Sequence, residues 1–561
     1  MTRTADATSS PLLSTLDATV VPSTRDQRGY RLLAFGNGEP ITVRNDLGGG
    51  RIGGRLQPLV SFAQITDLHI CDTQSPARAE FLDRLGDPDS DVAMTLGMNR
   101  TYRAQEALTH HVLEAMTHAL RRAPGGALTG APIEFVISTG DAIDNAQSNE
   151  LDNYIALLDG GEVQPDSGAS QAHQGIGDPS FYDPRYWHPD GTPLLGAIDD
   201  FPRARHGFPT VPGLNDAWRK PFRAVGVGLP WYAVYGNHDA LCGGILRPDE
   251  QLRAFATGAI KVTGVERVRE LARVIGLEVG NDETIDWMTY VTNAMPVEAD
   301  PGRIQIDRRS WIAAHLASLG APRGHGYAET SLADNTAYYA FDAGEIRFLV
   351  LDTVNTAGGY QGSIDGAQFA WLERELVAGH RSFSDERGIT LRHNGSDRLF
   401  VIVSHHRLED LTNHYAPDGV RRHLADDVRA LLARFANVIC WIDGHSHIHA
   451  IGARRAAPLS SGAGFWELTT GSHIDWPQQS RVIEIARDEF GQIVIATTTL
   501  DHSGLIDPRI GTLDDPLTLA GWSRELAANA WQSRANGHEP SGRGTVADRN
   551  VALVLGPPTE S

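Results

Sequence analysis

The chain is short of three things, and each shortage excludes a class of protein. Only three of its 561 residues are cysteine. Cys71, Cys242 and Cys440 lie far apart and in no CxxC pattern, which excludes a disulfide framework and a thiolate metal site. Long apolar runs are missing too: no stretch reaches the roughly 18 residues of a membrane span. Met1 to Pro22 is polar and Thr/Ser-rich, without the apolar segment of a signal peptide, so a soluble, cytoplasmic protein with no membrane partner is expected. The third shortage is positive charge, with 49 Lys+Arg against 70 Asp+Glu and a net charge of −21. So acidic a surface repels polyphosphate backbones, and extended nucleic-acid binding is not expected.

What is present is an ordinary globular composition, 41% hydrophobic and 21% charged, with 58 Gly and 30 Pro pointing to many loops. At about 150 residues per domain the length allows three or four domains, or one large domain with long insertions. Histidine stands out, at 22 residues.

Six short apolar runs end abruptly in polar clusters, as buried strands do when they deliver side chains to the rim of a sheet. They are Leu59 to Ile65 before Thr66-Asp67-Leu68-His69, Ile133 to Ile137 before Thr139-Gly140-Asp141, and Trp231 to Val234 before Gly236-Asn237-His238-Asp239. Ile346 to Leu351 precedes Asp352, Leu399 to Val403 precedes Ser404-His405-His406, and Val438 to Ile442 precedes Asp443-Gly444-His445-Ser446-His447. Two later β runs, Phe465 to Thr470 and Arg481 to Thr499 with a turn at Asp488 to Gly491, complete a sheet. Apolar residues at helical spacing predict helices within Tyr102 to Arg122 and after Asp365. Strand and helix alternate, which predicts an α/β class.

Two stretches interrupt the alternation. The first, about 147–230, is rich in Pro, Gly, aromatics and His, and reads as an ordered irregular excursion. The second, about 242–335, has helical patches at Val265 to Ile275 and Arg308 to Leu319 and reads as a small cap. The expected organisation is an N-terminal extension (1–58) with a short β element around Tyr30 to Val43, a catalytic domain (59–500) carrying the two insertions, and a C-terminal helical tail (501–561) with a helix at Pro516 to Trp531.

In order, the strand ends supply Asp67-x-His69, Gly140-Asp141-x-x-Asp144, Gly236-Asn237-His238-Asp239, Ser404-His405-His406 and Gly444-His445-x-His447. Carboxylate, imidazole and amide oxygen are the donors that hard-to-borderline divalent cations take. Asp141 is the natural bridging carboxylate, because Gly140 leaves space beside it. The five blocks, in this order and each after a β run, resemble the calcineurin-like metallophosphoesterases, whose pattern is DxH, GDxxD, GNH(D/E), H and GHxH. The similarity spans Asp67 to His447. Phe465-Trp466-Glu467 and Asp475-Trp476-Pro477-Gln478-Gln479 are similar to a bacterial, largely actinobacterial, subgroup.

The resemblance implies a four-layer α/β/β/α sandwich with two long insertions and a centre of two divalent ions, Mn, Fe or Zn. Asp67, His69 and His447 would hold the first ion, Asn237, His405 and His445 the second, and Asp141 would bridge. His238 would stay off the metals beside the leaving group, with Asp144 fixing its tautomer. The implied activity is hydrolysis of small phosphoesters by a metal-bridging hydroxide. A nucleotide pyrophosphatase or cyclic-nucleotide phosphodiesterase is the alternative, followed by a DNA nuclease, against which the charge speaks, and a non-catalytic scaffold, against which the intact donor set speaks.

Other residues have plainer readings. Strand alternation points only one of His405 and His406 at the metals, and His405, the first after the strand, is preferred. Asp239 reads as a helix cap, Cys71 as core packing, and His449 and His473 as surface or core histidines. Arg185, Arg203 and Arg205 read as part of a solvated loop rather than a phosphate grip.

Overall fold

The computed structural model describes residues 14–557 except 87–100, 170, 179–180, 194–196, 268–286, 393, 396, 418, 456–463 and 532–541. Its two large sheets use β1 (Thr42–Leu47), β2 (Leu56–Ile65), β3 (Val136–Ser138), β4 (Trp231–Ala233), β5 (Tyr339–Ala343), β6 (Ile346–Val350) and β7 (Leu399–Val403). To these are added β8 (Val438–Asp443), β9 (Ala450–Arg455), β10 (Gly464–Thr469), β11 (Gln479–Asp488), β12 (Ile493–Asp501) and β13 (Val551–Leu555). The seven-stranded sheet runs β1-β13-β12-β11-β2-β3-β4 and the six-stranded sheet β5-β6-β7-β8-β10-β9. Both are mixed, with parallel neighbours where the site loops leave: β2, β3 and β4 in one, β6, β7 and β8 in the other.

Period-two alternation sorts the strand residues between two cores. Phe348 and Val350 of β6, and Val401 and Val403 of β7, join Phe62, Val136 and Ile137 of the other sheet in the principal core. Leu349, Phe400, Ile402 and Trp441 face the opposite way, onto Leu372 and Leu376 of one helix and Val428, Leu431 and Leu432 of another. Phe62 meets Phe348 edge to face at 5.4 Å, so the two sheets touch ring to ring.

The longer helices among the described residues are α1 (Thr109–Leu120), α2 (Ser148–Asp159), α3 (Arg308–Ala317), α4 (Gly366–Ala378), α5 (Ala425–Leu432) and α6 (Pro516–Ala527). Asp365 caps α4 by accepting from the Gln368 N–H, Asp307 caps α3 through Ser310 N–H and Asp515 caps α6 through Leu517 N–H.

Three expectations are corrected. The first excursion is not irregular at its start: α2 occupies Ser148–Asp159, burying Leu151, Tyr154, Leu157 and Leu158 on one face. Its polar opening turn hides that spacing. The patch expected as a helix from Val265 begins instead as the end of a hairpin strand, Ile260–Val265, paired with Val291–Pro296; the remainder of that patch, from 268, lies outside the described residues. The C-terminal stretch supplies α6 as expected but also β13, which slots between β12 and β1. The N-terminal extension, through β1, and the C-terminal stretch, through β13, therefore both pair into the sheet that carries half of the site.

Many of the histidines are packing groups. His110 and His111 on α1 and His173 beside Trp218 are buried, and burial holds their basicity down to about 4, 3 and 3 respectively. Below the ordinary value of 6.5, the unfolded chain takes up protons that the folded chain refuses, so stability falls as pH falls from 6.5 toward those values. The slope is about 1.4 kcal/mol per pH unit for each such histidine. Urea midpoints are expected to drop already between pH 6.5 and 5, although Glu106, Glu150 and Asp239, raised by burial to about 7, 8 and 7, pull the other way. Ring NMR shifts of these histidines that titrate near 6.5 would show that they are not held neutral.

Candidate metal centre

The loops beyond β2, β3 and β8 are bent in a way L-residues rarely adopt. Asp67, His69, Asp141, His445 and His447 have φ of 50°, 46°, 48°, 64° and 59°. They are five of the ten non-glycine residues with positive φ among those described, and each costs of order 1 kcal/mol. Main-chain bonds knit these bends together: Asp67 N–H donates to Gly140 C=O at 3.1 Å, His69 N–H to Asp141 C=O at 3.0 Å, and Gly444 N–H to His405 C=O at 3.0 Å. Gly140 is obligatory twice over, since its φ is 90° and a Cβ there would meet His405 Nδ1 at 2.7 Å.

The outcome is a convergence of lone pairs. His69 Nδ1 donates to Asp144 Oδ1 at 2.9 Å and His447 Nδ1 donates to Asp475 Oδ2 at 2.7 Å, so each ring turns an unprotonated Nε2 inward. These two nitrogens stand 3.2 Å apart, and His447 Nε2 is 3.3 Å from Asp67 Oδ1. On the other side His405 Nδ1 donates to the Thr139 carbonyl at 2.9 Å, leaving its Nε2 to face Asp141 Oδ2 at 3.1 Å, Asn237 Oδ1 at 2.9 Å and His445 Nδ1 at 3.2 Å. Asn237 presents its oxygen because its amide N–H is spent on the Gly244 carbonyl at 3.1 Å. Asp141 Oδ2 also lies 3.9 Å from His69 Nε2, so one carboxylate reaches both sides.

Acceptors that face one another at 3 Å in a buried pocket need a positive charge between them. A proton is one solution: although burial opposes it, the Asp141 and Asp67 carboxylates carry His405 up to about 9. Against its own burial, Asp141 is held well below the usual carboxylate range by His405 and His238. A divalent cation is the other, and the donors suit one: Asp67, His69 and His447, and likewise Asp67, Asp141 and His405, place their ligand atoms within 4.8 Å of one another.

All seven residues expected as ligands are thus brought together. Of the two adjacent histidines, His405 shares strand parity with Val401 and Val403 and points between the sheets. His406 lies beside it, with a ligand atom within 4.8 Å of those of His405 and His445, but its Nε2 donates to the Tyr360 carbonyl at 2.9 Å and its Nδ1 accepts from the Thr353 hydroxyl at 2.8 Å, so both ring nitrogens are engaged.

The pairing of Asp144 with His238 is corrected. His238 Nδ1 donates to the main-chain carbonyl of Asp144 at 2.7 Å, whereas the nearer carboxylate oxygen is 3.7 Å away and is occupied by His69. The tautomer of His238 is set by residue 144, but through the backbone. Asp239 caps, accepting the Gly236 and Ile143 N–H groups at 2.7 and 3.0 Å. Cys71 is buried beside Asp144 with its thiol pushed well up, chiefly by burial. His449 accepts from Gly471 N–H and His473 pairs with Ser480. Arg185 pairs with Asp183, Arg203 with Asp199 and Asp200, and Arg205 lies over the Phe201 ring.

Two residues that orient the centre were not singled out as site residues. Asp475 lies in a run noticed only for its similarity to a subgroup, and Arg78, which binds the Asp144 carboxylate, has no local signal at all.

No family model matches the chain, and no curated protein matches it. Among solved structures it is similar to a dimetal phosphatase from Danio rerio, with 13% identity, 80% of this chain and 100% of that one covered, and a TM-score of 0.35. It is also similar to PhoD, with 10% identity, 86% and 70% covered, and a TM-score of 0.28. Superpositions so loose carry no weight by themselves, and the chemistry rests on the side chains above.

Proposed function

We propose that the chain hydrolyses small phosphoesters, mono- or diesters, with two divalent cations held as in the calcineurin-like metallophosphoesterases, on the four-layer sandwich with two insertions that the family implies. The observation that carries this reading is the facing set of imidazole nitrogens and of carboxylate and amide oxygens at 2.9 to 3.3 Å. Asp67, His69 and His447 form one end, Asn237, His405 and His445 the other, and Asp141 the shared member. When bound, such ions supply Lewis acidity, a water of lowered pKa and a template for in-line displacement at phosphorus.

The chain's own residues do the rest. Asp144 and Asp475 keep Nε2 of His69 and His447 free of a proton. His238 sits at the mouth, its side chain 22% exposed. With Nδ1 tied to the carbonyl, its Nε2 is the atom that hands a proton to the leaving oxygen. Two dications outweigh the two carboxylates, so a small anion is attracted locally while the −21 surface repels a polymer.

The test is metal analysis of the purified protein coupled to a panel of mono-, di- and pyrophosphate esters with added Mn²⁺. Two equivalents of metal and turnover on at least one ester class are expected. Two metals without turnover on any ester would favour a binding protein, and no metal binding at all would end the reading.

A further inference from the structure

His69 and His447 owe their tautomers to two carboxylates, and each carboxylate is held by an arginine, Arg78 or Arg103. Arg78 Nη1 donates to Asp144 Oδ2. The same guanidinium donates from Nη2 to Glu106 Oε2 at 2.6 Å and to the Thr101 carbonyl at 3.0 Å. Glu106 Oε2 also accepts the main-chain N–H of Arg103 at 2.8 Å. The Arg103 side chain grips Asp475 as a fork, Nε to Oδ1 at 2.8 Å and Nη2 to Oδ2 at 3.2 Å. Asp475 in turn takes the His447 Nδ1–H, and His447 and His69 face each other through Nε2. The path His69, Asp144, Arg78, Glu106, Arg103, Asp475, His447 therefore closes on itself at the proposed metal site.

We infer that Arg78, Glu106 and Arg103 are one positioning unit for the two histidines, acting through Asp144 and Asp475 without touching metal or substrate. The inference rests on the function proposed above. Its physical content is orientation: a guanidinium fork fixes the plane of a carboxylate, and the carboxylate fixes the imidazole it accepts from. Arg78, Glu106 and Asp144 are 5%, 3% and 1% exposed, so little water competes for these bonds.

The second insertion braces the same unit. Lys261, one of only two lysines in the chain, is wholly buried and donates to Glu80 Oε1 at 2.9 Å and to the Ser75 carbonyl at 2.7 Å. Glu80 Oε1 lies 3.9 Å from Arg78 Nε. A segment expected to be a small cap thus reaches the support of His69.

A buried ion network can also be mere scaffolding, and the experiment separates the two. Arg78→Lys, Arg103→Lys and the double variant are stripped with chelator, and Mn²⁺ affinity is measured by calorimetry alongside the ¹⁵N shifts of the histidine rings. Each single variant is expected to bind Mn²⁺ about 10- to 100-fold more weakly and to blur the Nδ1–H tautomer of His69 or His447. The double variant should lose little more than the weaker-binding single one, since an opened ring cannot be opened again. Excess Mn²⁺ should restore kcat with KM for the ester unchanged.

Folded variants with wild-type Mn²⁺ affinity and sharp tautomers would overturn the inference, as would fully additive losses. If Arg78→Lys does not fold, Arg103→Lys and Asp475→Asn carry the test, because those side chains are 11% and 20% exposed at the edge of the network. Wild-type protein that binds no Mn²⁺ would overturn the proposed function itself, a result distinct from either of these.

Discussion

Asp141→Asn is expected to yield a folded protein that retains little metal and loses kcat/KM by about 10³-fold or more, as the several kcal/mol that bound dications contribute to such a displacement imply. Asp141 lies within reach of both histidine groups, 3.1 Å from His405 Nε2 and 3.9 Å from His69 Nε2. The amide keeps the shape of the carboxylate. Its oxygen can still accept the His238 main-chain N–H, now 2.8 Å from Asp141 Oδ1, but it no longer carries the charge that draws a proton or a cation to His405. Chelator-treated Asp141→Asn should therefore fold but be no more stable than chelator-treated wild type, since the charge that pairs with protonated His405 is gone. Metal content, thermal melts with and without chelator, and turnover on the best ester decide it. Full metal content with near wild-type turnover would remove Asp141 from the centre.

His238→Ala is expected to separate proton delivery from metal binding. Its Nδ1 is committed to the Asp144 carbonyl and its ring lies at the mouth, so metal content should be unchanged. Loss of a positioned acid costs about 10² to 10⁴ in rate, and the loss should depend on the leaving group. Alkyl phosphoesters, whose alkoxides need a proton, should show the full decrease, and nitrophenyl esters, whose anions leave unaided, a much smaller one. An equal decrease for both would mean that His238 stabilises charge at phosphorus instead. Unchanged turnover of the alkyl ester would leave it without a role.

Much of this centre is legible in the sequence because ligands at strand ends announce themselves twice, by residue type and by the apolar run before them. Asp67, Asp141, Asn237, His405, His445 and His447 all follow runs that became β2, β3, β4, β7 and β8. The choice of His405 over His406 follows from strand parity, which is local. What the sequence conceals is what acts across distance. Asp475 meets His447 from the far side of β9 and β10, and Arg78 meets Asp144 across 66 residues. Neither has a spacing rule, because both depend on how loops fold over one another. The Asp144 pairing was misplaced for a similar reason: a carbonyl and a carboxylate of one residue are indistinguishable until the backbone is drawn. Helix α2 went unseen because its first turn, Ser148-Asn149-Glu150, lacks the apolar spacing of its later turns.

The donors come from both sheets. Asp67, His69, Asp141 and Asn237 follow strands of the seven-stranded sheet, and His405, His445 and His447 follow strands of the six-stranded one. Neither sheet alone can assemble the centre, so the ions act as a clasp whose two halves are closed by the chain itself. Any partly opened form in which the sheets part has no site to offer, and mass action then works against opening: ions at a hundred times their dissociation constant would add about 2.7 kcal/mol to the closed form. The left-handed bends at Asp67, His69, Asp141, His445 and His447 are a latch held under tension, set only when the clasp is shut.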